Sequence, residues 1–316
     1  MSDMKSFTGY SHWLDVKHKI RIAWLFLVLA TMTFLLGCAS TNKPIIPVNT
    51  RPPKVALVLG GGSARGFAHV GVIRMLEQEK IPIDLIVGTS VGSLIGAIYA
   101  ANPNSFELEW MAFELEKNDI FDFSLLSSKT GPVKGDKLEK YVLKHVKVKN
   151  IEETKIPFYA VACDLNTGEP VVFDKGPIEK AVRASSSIPG IFTPVSLNGR
   201  TLVDGGVIGS VAPETAREKG ADIVIVVNIG KEITNYDTGN IVAITLQAID
   251  IMSHKIDNYK NKDADVLIEP EVGTVSTMDF SKKKELMLSG IKAGQEAIPA
   301  IKKAMEKFYT TQLPKI

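Results

Sequence analysis

The stretch Lys54–Glu79, KVALVLGGGSARGFAHVGVIRMLEQE, runs through consecutive apolar residues, breaks at three glycines and resumes with helical spacing. An apolar run without polar alternation predicts a strand buried on both faces over Lys54–Leu59. A helix over Phe67–Glu79, ended by Ile81-Pro82, follows the glycines. A second buried strand is expected at Ile83–Val87, then a helix of small residues from Ser90 to Ala101. Ser105–Lys117 reads as a helix N-capped by Ser105. Further strands are expected at Phe158–Cys163, Val171–Phe173, Ile223–Ile229 and Ala264–Ile268, with a terminal helical region over Ser281–Phe308. Strands alternating with helices argue for one parallel sheet covered on both faces, in one domain from Lys54 to the end.

The composition narrows the class. Of 316 residues 45% are hydrophobic and 23% charged, enough apolar surface to exclude intrinsic disorder. The 25 glycines follow no period and there are two cysteines, which excludes collagen-like and disulfide-scaffold chains. Lys plus Arg number 37 against 35 Asp plus Glu, a net charge of +2. With no basic excess to displace phosphate counterions, nucleic-acid binding is disfavoured.

Ile22–Leu36 carries no charge and is preceded by Lys17, Lys19 and Arg21, the form of a secretory signal. As a helix it spans roughly 22 Å, short of the ~30 Å hydrocarbon core; an uncleaved inner-membrane anchor is the alternative. Leu35-Leu36-Gly37-Cys38 resembles a bacterial lipobox, whose cysteine is acylated and becomes the first residue. Ala39-Ser40 lacks the acidic residue that retains lipoproteins at the inner membrane, so the resemblance implies an outer-membrane lipoprotein with a signal peptide over 1–37, a tether over 38–53 and a globular part over 54–316. Loss of residues 1–37 leaves 33 basic and 33 acidic residues. Such neutrality argues against electrostatic capture by anionic lipid and places attachment on Cys38. Cys163, in an apolar stretch, reads as a small buried hydrophobe.

Three motifs carry the chemistry. Gly88-Thr89-Ser90-Val91-Gly92 is a G-x-S-x-G between a buried strand and a helix, where a sharp turn projects the serine hydroxyl beside a helix N-terminus. An ordinary turn with an N-capping serine is the alternative. Gly60-Gly61-Gly62-Ser63-Ala64-Arg65-Gly66 can turn several N–H groups on one anion. Phe67 stands where a phosphate loop needs Lys, and Arg65 where a dinucleotide fingerprint needs Gly, so an oxyanion hole remains. Arg65 either aids anion binding or pairs with a helix carboxylate. Asp204-Gly205-Gly206 places a carboxylate at a strand end, where it can reach a serine hydroxyl or serve as a plain Asp-Gly turn.

Together GGGSARGFAHVG (Gly60–Gly71), GTSVG (Gly88–Gly92) and DGG (Asp204–Gly206) resemble the patatin-like phospholipase family, in its bacterial and neuropathy-target-esterase-like branch. AVACDLNTGE (Ala160–Glu169), AVRASSSIPGIFTPV (Ala181–Val195) and GADIVIVVNI (Gly220–Ile229) are also similar to family segments, and the resemblance covers about 54–270. It implies a three-layer α/β/α sandwich with a mainly parallel central sheet and a Ser–Asp dyad without catalytic histidine. It further implies no cofactor, no metal and no nucleotide. Carried over, Ser90 is the nucleophile, Asp204 the base, and the N–H groups of Gly61 and Gly62 the oxyanion hole. Gly60, Arg65, Gly66, Gly88, Gly92, Gly205 and Gly206 support the motifs. The implied substrates are carboxyl esters of phospholipids, lysophospholipids or other lipids, met at a membrane. One departure is Gly209-Ser210-Val211-Ala212, where relatives usually read Asn-Pro-x-Pro, and a looser loop is expected there.

Ser90, Asp204 and His254 also satisfy the Ser–acid–His order of α/β-hydrolases. Too few strand–helix units precede Ser90 for that fold, and His254 falls in a helical stretch (Ile241–Tyr259) as a surface residue. His69 is expected to support the glycine loop. Phe121, Phe123, Leu125 and Leu126 form a loop that either contacts acyl chains or membrane, or tucks onto the core. A non-catalytic lipid-binding lipoprotein is the rival of another class, opposed by the intact motif residues.

Overall fold

Val55–Leu59 forms strand β1, buried along its whole length, and the register of its neighbours positions everything that follows. The computed structural model describes residues 51–123, 132–230, 233, 239, 241–276 and 278–311. The signal segment, Cys38, the tether to residue 50, Leu125 and Leu126 lie outside the described residues.

The remaining strands are β2 Leu85–Thr89, β3 Phe158–Asp164, β4 Pro170–Phe173, β5 Val195–Leu197, β6 Arg200–Asp204, β7 Ile223–Val227 and β8 Val266–Ile268. The α-helices are α1 Phe67–Gln78, α2 Val91–Ala101, α3 Ser105–Glu114, α4 Lys117–Ile120, α5 Asp136–His145, α6 Ile178–Ser185, α7 Pro213–Glu218, α8 Ile241–Lys260 and α9 Lys283–Thr311. The sheet order is β5-β6-β3-β2-β1-β7-β8, with β4 paired to β3.

Alternate residues of each strand feed opposite faces. Leu57, Leu59, Ile86 and Ile225 join the larger core under α1, α2 and α9. Ala56, Val58, Val87 and Val226 join a smaller one with Ala216 of α7. Two covered faces make the three layers, and they explain why β1, β2 and β7 read as unbroken apolar runs.

The sheet is mixed rather than wholly parallel. β8, β7, β1, β2 and β3 run parallel, whereas β4 and β6 pair antiparallel to β3 and β5 antiparallel to β6. β5 and β6 are joined by Asn198 and Gly199, with φ of 51° and 75°. A two-residue link with positive φ at both positions returns the chain antiparallel. Two local expectations also shift. β2 begins at Leu85 rather than Ile83 and runs directly into Ser90. The cap of α3 is Asn104, whose side chain accepts the Glu107 N–H at 3.1 Å, while the Ser105 hydroxyl donates to Glu77. That helix stops at Glu114, short of Lys117.

The sheet winds to one side of β1 through β2 and to the other through β7 and β8, and open α/β sheets bind ligands at the carboxyl ends beside such a reversal. Gly60 follows β1 there, and Ser90 follows β2. β6 enters from the opposite direction: Val161 of β3 registers with Thr89, and the next residue, Ala162, registers with Asp204. One strand thus sets the serine turn and the Asp204 strand end side by side.

Candidate active site

Ser90 sits at φ 55°, ψ −124°, between β2 and α2. A positive φ at a residue with a Cβ is held only where its surroundings enforce it. The enforcement is visible. The Ser90 N–H donates to Ser185 Oγ at 2.9 Å, and its carbonyl accepts from the N–H and the hydroxyl of Ser93. A Cβ at Gly92 would stand 2.1 Å from the Leu59 carbonyl oxygen, and one at Gly88 2.5 Å from that of Gly92. Only glycines let strand and helix approach this closely.

The glycine loop packs directly on the serine. A Cβ at Gly61 would lie 3.3 Å from Ser90 Cβ, and one at Gly66 would collide with Val91. Gly60 is held from two sides, its N–H donating to the Val227 carbonyl and its carbonyl accepting from His69 Nε2 at 2.8 Å. His69 is fully buried, and burial pushes its pKa down to about 4, so it is a neutral donor fixing the loop. The expected pair of oxyanion donors is only half available. The Gly61 N–H is committed to the Ser210 carbonyl at 2.9 Å, while the Gly62 N–H has no acceptor among the described residues.

Arg65 is buried, its Nε donating to the Gly62 carbonyl at 3.0 Å and its Nη2 lying 3.3 Å from Asp250 of α8. The pairing with a helix carboxylate is present, while Arg65 Nη1, in the wall of the polar cleft, has no partner among the described residues.

Asp204 ends β6, and its N–H donates to the Ser187 carbonyl at 3.0 Å. Oδ1 accepts the Gly206 N–H at 2.7 Å; Oδ2 is buried without a complete hydrogen bond. Gly205 presses on β3, with no room for a Cβ beside the Val161 carbonyl. Burial pushes the Asp204 carboxyl up to about 6, against the opposing pull of the Ser90 hydroxyl and the Gly206 N–H. A carboxylate so placed is a far better proton acceptor at neutral pH than an exposed aspartate.

The loop Gly209–Ala212 departs from the expectation of looseness. Asp257 of α8 accepts the Ser210 N–H at 2.8 Å, the Val211 N–H at 3.4 Å and the Ser210 hydroxyl, and Lys260 Nζ donates to the Val211 carbonyl. Asp257 is buried, which raises its pKa, while those bonds and Lys260 oppose the shift. Here a carboxylate clamp does what a pair of prolines achieves by fixing backbone angles.

His254 lines the cleft without meeting the dyad; its Nε2 lies 3.2 Å from Asn258 one turn on. Cys163 is a buried free thiol. Among the described residues no group of three or more His, Cys, Asp or Glu is placed to hold a metal ion.

Ser90 stands where two cavities meet. A polar cleft runs past Gly62, Arg65, Asp204, Asp250, His254 and Asp257. An apolar cavity on the other side is lined by Phe67, Leu94, Ile95, Phe121, Phe192 and Phe280. Of the aromatic loop, Phe121 therefore enters the cavity wall, while Phe123 is exposed and stacks on it at 5.8 Å.

Sequence reasoning assigned no role to Ser185, Ser187, Arg183 or Asp257. Arg183 is buried with Nη1 on Ser187 Oγ and Nη2 on the Lys134 and Thr193 carbonyls, fixing the segment that holds Ser90 and Asp204. The run Ser185-Ser186-Ser187 was the available signal, since small hydroxyls in an apolar context bond to nearby backbone.

The sequence model of the patatin-like phospholipases matches residues 57–216, half of the chain and all of the motif residues from Gly60 to Gly206. The chain belongs to the patatin-like phospholipase family. Among its patatin-like relatives, an uncharacterised NTE family protein of Mycobacterium tuberculosis is 35% identical over 177 residues, covering 56% of this chain and 49% of that one. The human patatin-like phospholipase domain-containing protein 6 is 34% identical over 184 residues, covering 56% of this chain and 13% of its own. The match thus spans half or less of these relatives' length. Among solved structures, VipD from Legionella pneumophila aligns with a TM-score of 0.47 at 12% identity, over 82% of this chain and 68% of that one.

Proposed function

We propose that this patatin-like protein is a serine lipid acyl hydrolase that cleaves carboxyl esters of phospholipids or lysophospholipids through a Ser90–Asp204 dyad. The observation that carries the reading is the serine held at a strained turn, beside a buried carboxylate of raised pKa, between an apolar and a polar cavity. The acyl chain enters the apolar cavity and the headgroup side of the ester faces the polar cleft, which puts the carbonyl carbon over Ser90 Oγ.

As Ser90 Oγ bonds to that carbon, Asp204 takes the hydroxyl proton and the carbonyl oxygen becomes an oxyanion. Its donors are the Gly62 N–H and the N–H groups of Val91 and Gly92 that open α2, ahead of the Ser93 N–H taken by the Ser90 carbonyl. Collapse expels the alcohol, which leaves with the proton from Asp204, and an acyl-enzyme remains. Water then loses a proton to Asp204 as it attacks the acyl carbon; the carbon–Oγ bond breaks, Asp204 returns the proton to Ser90 Oγ, and the fatty acid departs. His69 takes no part, because its Nε2–H is spent on Gly60 and burial keeps it neutral.

The test is mass-spectrometric analysis of bacterial membrane lipids incubated with the wild-type protein or with Ser90→Ala. Release of free fatty acid and the matching lyso-lipid or alcohol by the wild type alone supports the reading; equal release by Ser90→Ala contradicts it. The cell-envelope setting is proposed on sequence alone: Cys38 tethers the enzyme to the outer membrane, and globomycin is expected to block removal of residues 1–37. A chain that stays full-length without the inhibitor argues for the N-terminal anchor instead.

A further inference from the structure

Helix α8 has two faces of different kinds. On the inner face Asp250, Ser253, Asp257 and Lys260 recur at helical spacing, and each grips a loop of the site. Their partners are Arg65, the Gly206 carbonyl, Ser210 and the Val211 carbonyl. On the outer face Ile241, Ile244, Ile251, Met252 and Tyr259 are exposed by 80, 50, 41, 50 and 73%. At 3.6 residues per turn these side chains fall within an arc of about 100°, an apolar stripe running the length of the helix.

Charge on this helix is just as one-sided. Both of its carboxylates, Asp250 and Asp257, turn inward. Among described side chains of α8 the one exposed charge is Lys255; Lys262 and Asp263 are exposed in the turn that follows, Lys262 5.4 Å from the Tyr259 ring. Lys255 lies within that stripe, one turn from Ile251 and from Tyr259, where its stem can run along apolar surface while the ammonium reaches headgroups, so the face suits the boundary between acyl chains and anionic headgroups. No helix among the described residues is long and apolar enough to cross a membrane. The same helix walls the cleft through Leu246, Ile249, Asp250, Ser253, His254 and Asp257. The other exposed aromatic row, Phe106, Trp110 and Phe113 on α3, lines neither cavity at Ser90.

We infer that α8 is the membrane-docking element of this enzyme. It lies in the headgroup layer of a phospholipid bilayer with Ile241, Ile244, Ile251, Met252 and Tyr259 inserted, so that the cleft opens where a lipid can slide from the leaflet to Ser90. The inference rests on the lipid-ester reading above and adds how substrate is met. Global neutrality is no obstacle, because insertion is driven by apolar area and the two lysines supply only the local attraction.

The test separates docking from chemistry. In the full chain carrying Cys38→Ser and Ser90→Ala, Met252→Cys is labelled with an environment-sensitive fluorophore; Cys163 is buried and does not compete. Lys155→Cys, exposed just before β3 at the amino ends of the parallel strands, away from the cleft, is the control. Vesicles of phosphatidylethanolamine and phosphatidylglycerol are expected to blue-shift the label at 252 and leave that at 155 unchanged. In parallel, Ile251→Ser/Met252→Ser in the active chain is expected to keep hydrolysis of a soluble butyrate ester. It should lose at least about tenfold in hydrolysis of vesicle phospholipid, since tenfold needs only about 1.4 kcal/mol, less than one large apolar side chain supplies. An unshifted label at 252 on vesicle-bound protein overturns the inference, as does vesicle hydrolysis that survives the double substitution. A label that becomes shielded with rising protein concentration and no vesicles assigns the stripe to a second copy of the chain, which also overturns it. If neither ester is cleaved, the lipid-ester reading fails, while the label still reports docking.

Discussion

Replacing Asp204 by Asn should abolish activity and shift stability in the variant's favour as pH rises. The Asp204 pKa rises from 3.8 to about 6 on folding, because burial disfavours the charged form. A folded pKa above the unfolded one means the native state keeps a proton that the unfolded chain has already released. Stability is therefore lost as pH rises from about 3.8 through about 6, and the full penalty applies above that window. At roughly 1.36 kcal/mol per pKa unit the penalty is about 3 kcal/mol at pH 8 and about half that at pH 5. Asn cannot ionise, and its Oδ1 can keep the Gly206 N–H. Its new NH2 group costs about 1–3 kcal/mol if it finds no acceptor, but that cost does not vary with pH. The informative quantity is thus the change in ΔΔG between pH 5 and pH 8, expected to favour the variant by about 1.4 kcal/mol. Urea unfolding of both proteins at the two pH values measures it, with every other titration cancelling in the difference. A ΔΔG that is flat with pH, or that moves toward the wild type as pH rises, refutes the assignment of a buried carboxylate of raised pKa.

The same pKa governs catalysis. With a soluble ester, kcat/KM should rise through about pH 6 as Asp204 ionises; a profile already flat above pH 5 contradicts this. His254→Ala should change turnover less than about threefold, and a loss in the general-base range of about 10²–10⁴ would return the base role to histidine. Asp257→Ala should free the Ser210 loop and, through the Ser210 carbonyl, the Gly61 N–H. Removing hydrogen bonds to a charged group predicts about 2–3 kcal/mol of lost stability. It also predicts a fall in kcat larger than any change in KM, partly rescued by Asp257→Asn.

The parts of the fold that were legible in sequence are those where local pattern and tertiary environment agree. Val55–Leu59 and Ile223–Val227 read as buried strands because both faces of the sheet are covered there. The glycines at 88 and 92 read as a tight turn because no side chain fits between strand and helix. The antiparallel edge was harder, although Asn198-Gly199 is a hairpin signal, because strand–helix alternation in the rest of the chain argued for parallel pairing throughout. Helix α5 passed unmarked because Leu138, Tyr141 and Val142 are its only buried residues among many lysines and acids. The site's supporting layer was least legible. Asp257 lies 53 positions beyond Asp204, and nothing local marks a helical aspartate that folds back onto a loop. The commitment of Gly61 to Ser210 depends on that same long-range contact.

The central claim, a Ser90 nucleophile activated by Asp204 rather than by histidine, is tested most directly by fluorophosphonate labelling followed by peptide mass mapping. The wild-type protein should carry one adduct, on the peptide containing Ser90. Ser90→Ala should carry none, Asp204→Asn should react on the order of 10²–10⁴ more slowly, and His254→Ala should react like the wild type. An unlabelled wild type, an adduct on another residue, or undiminished labelling of the Asp204 variant contradicts the account.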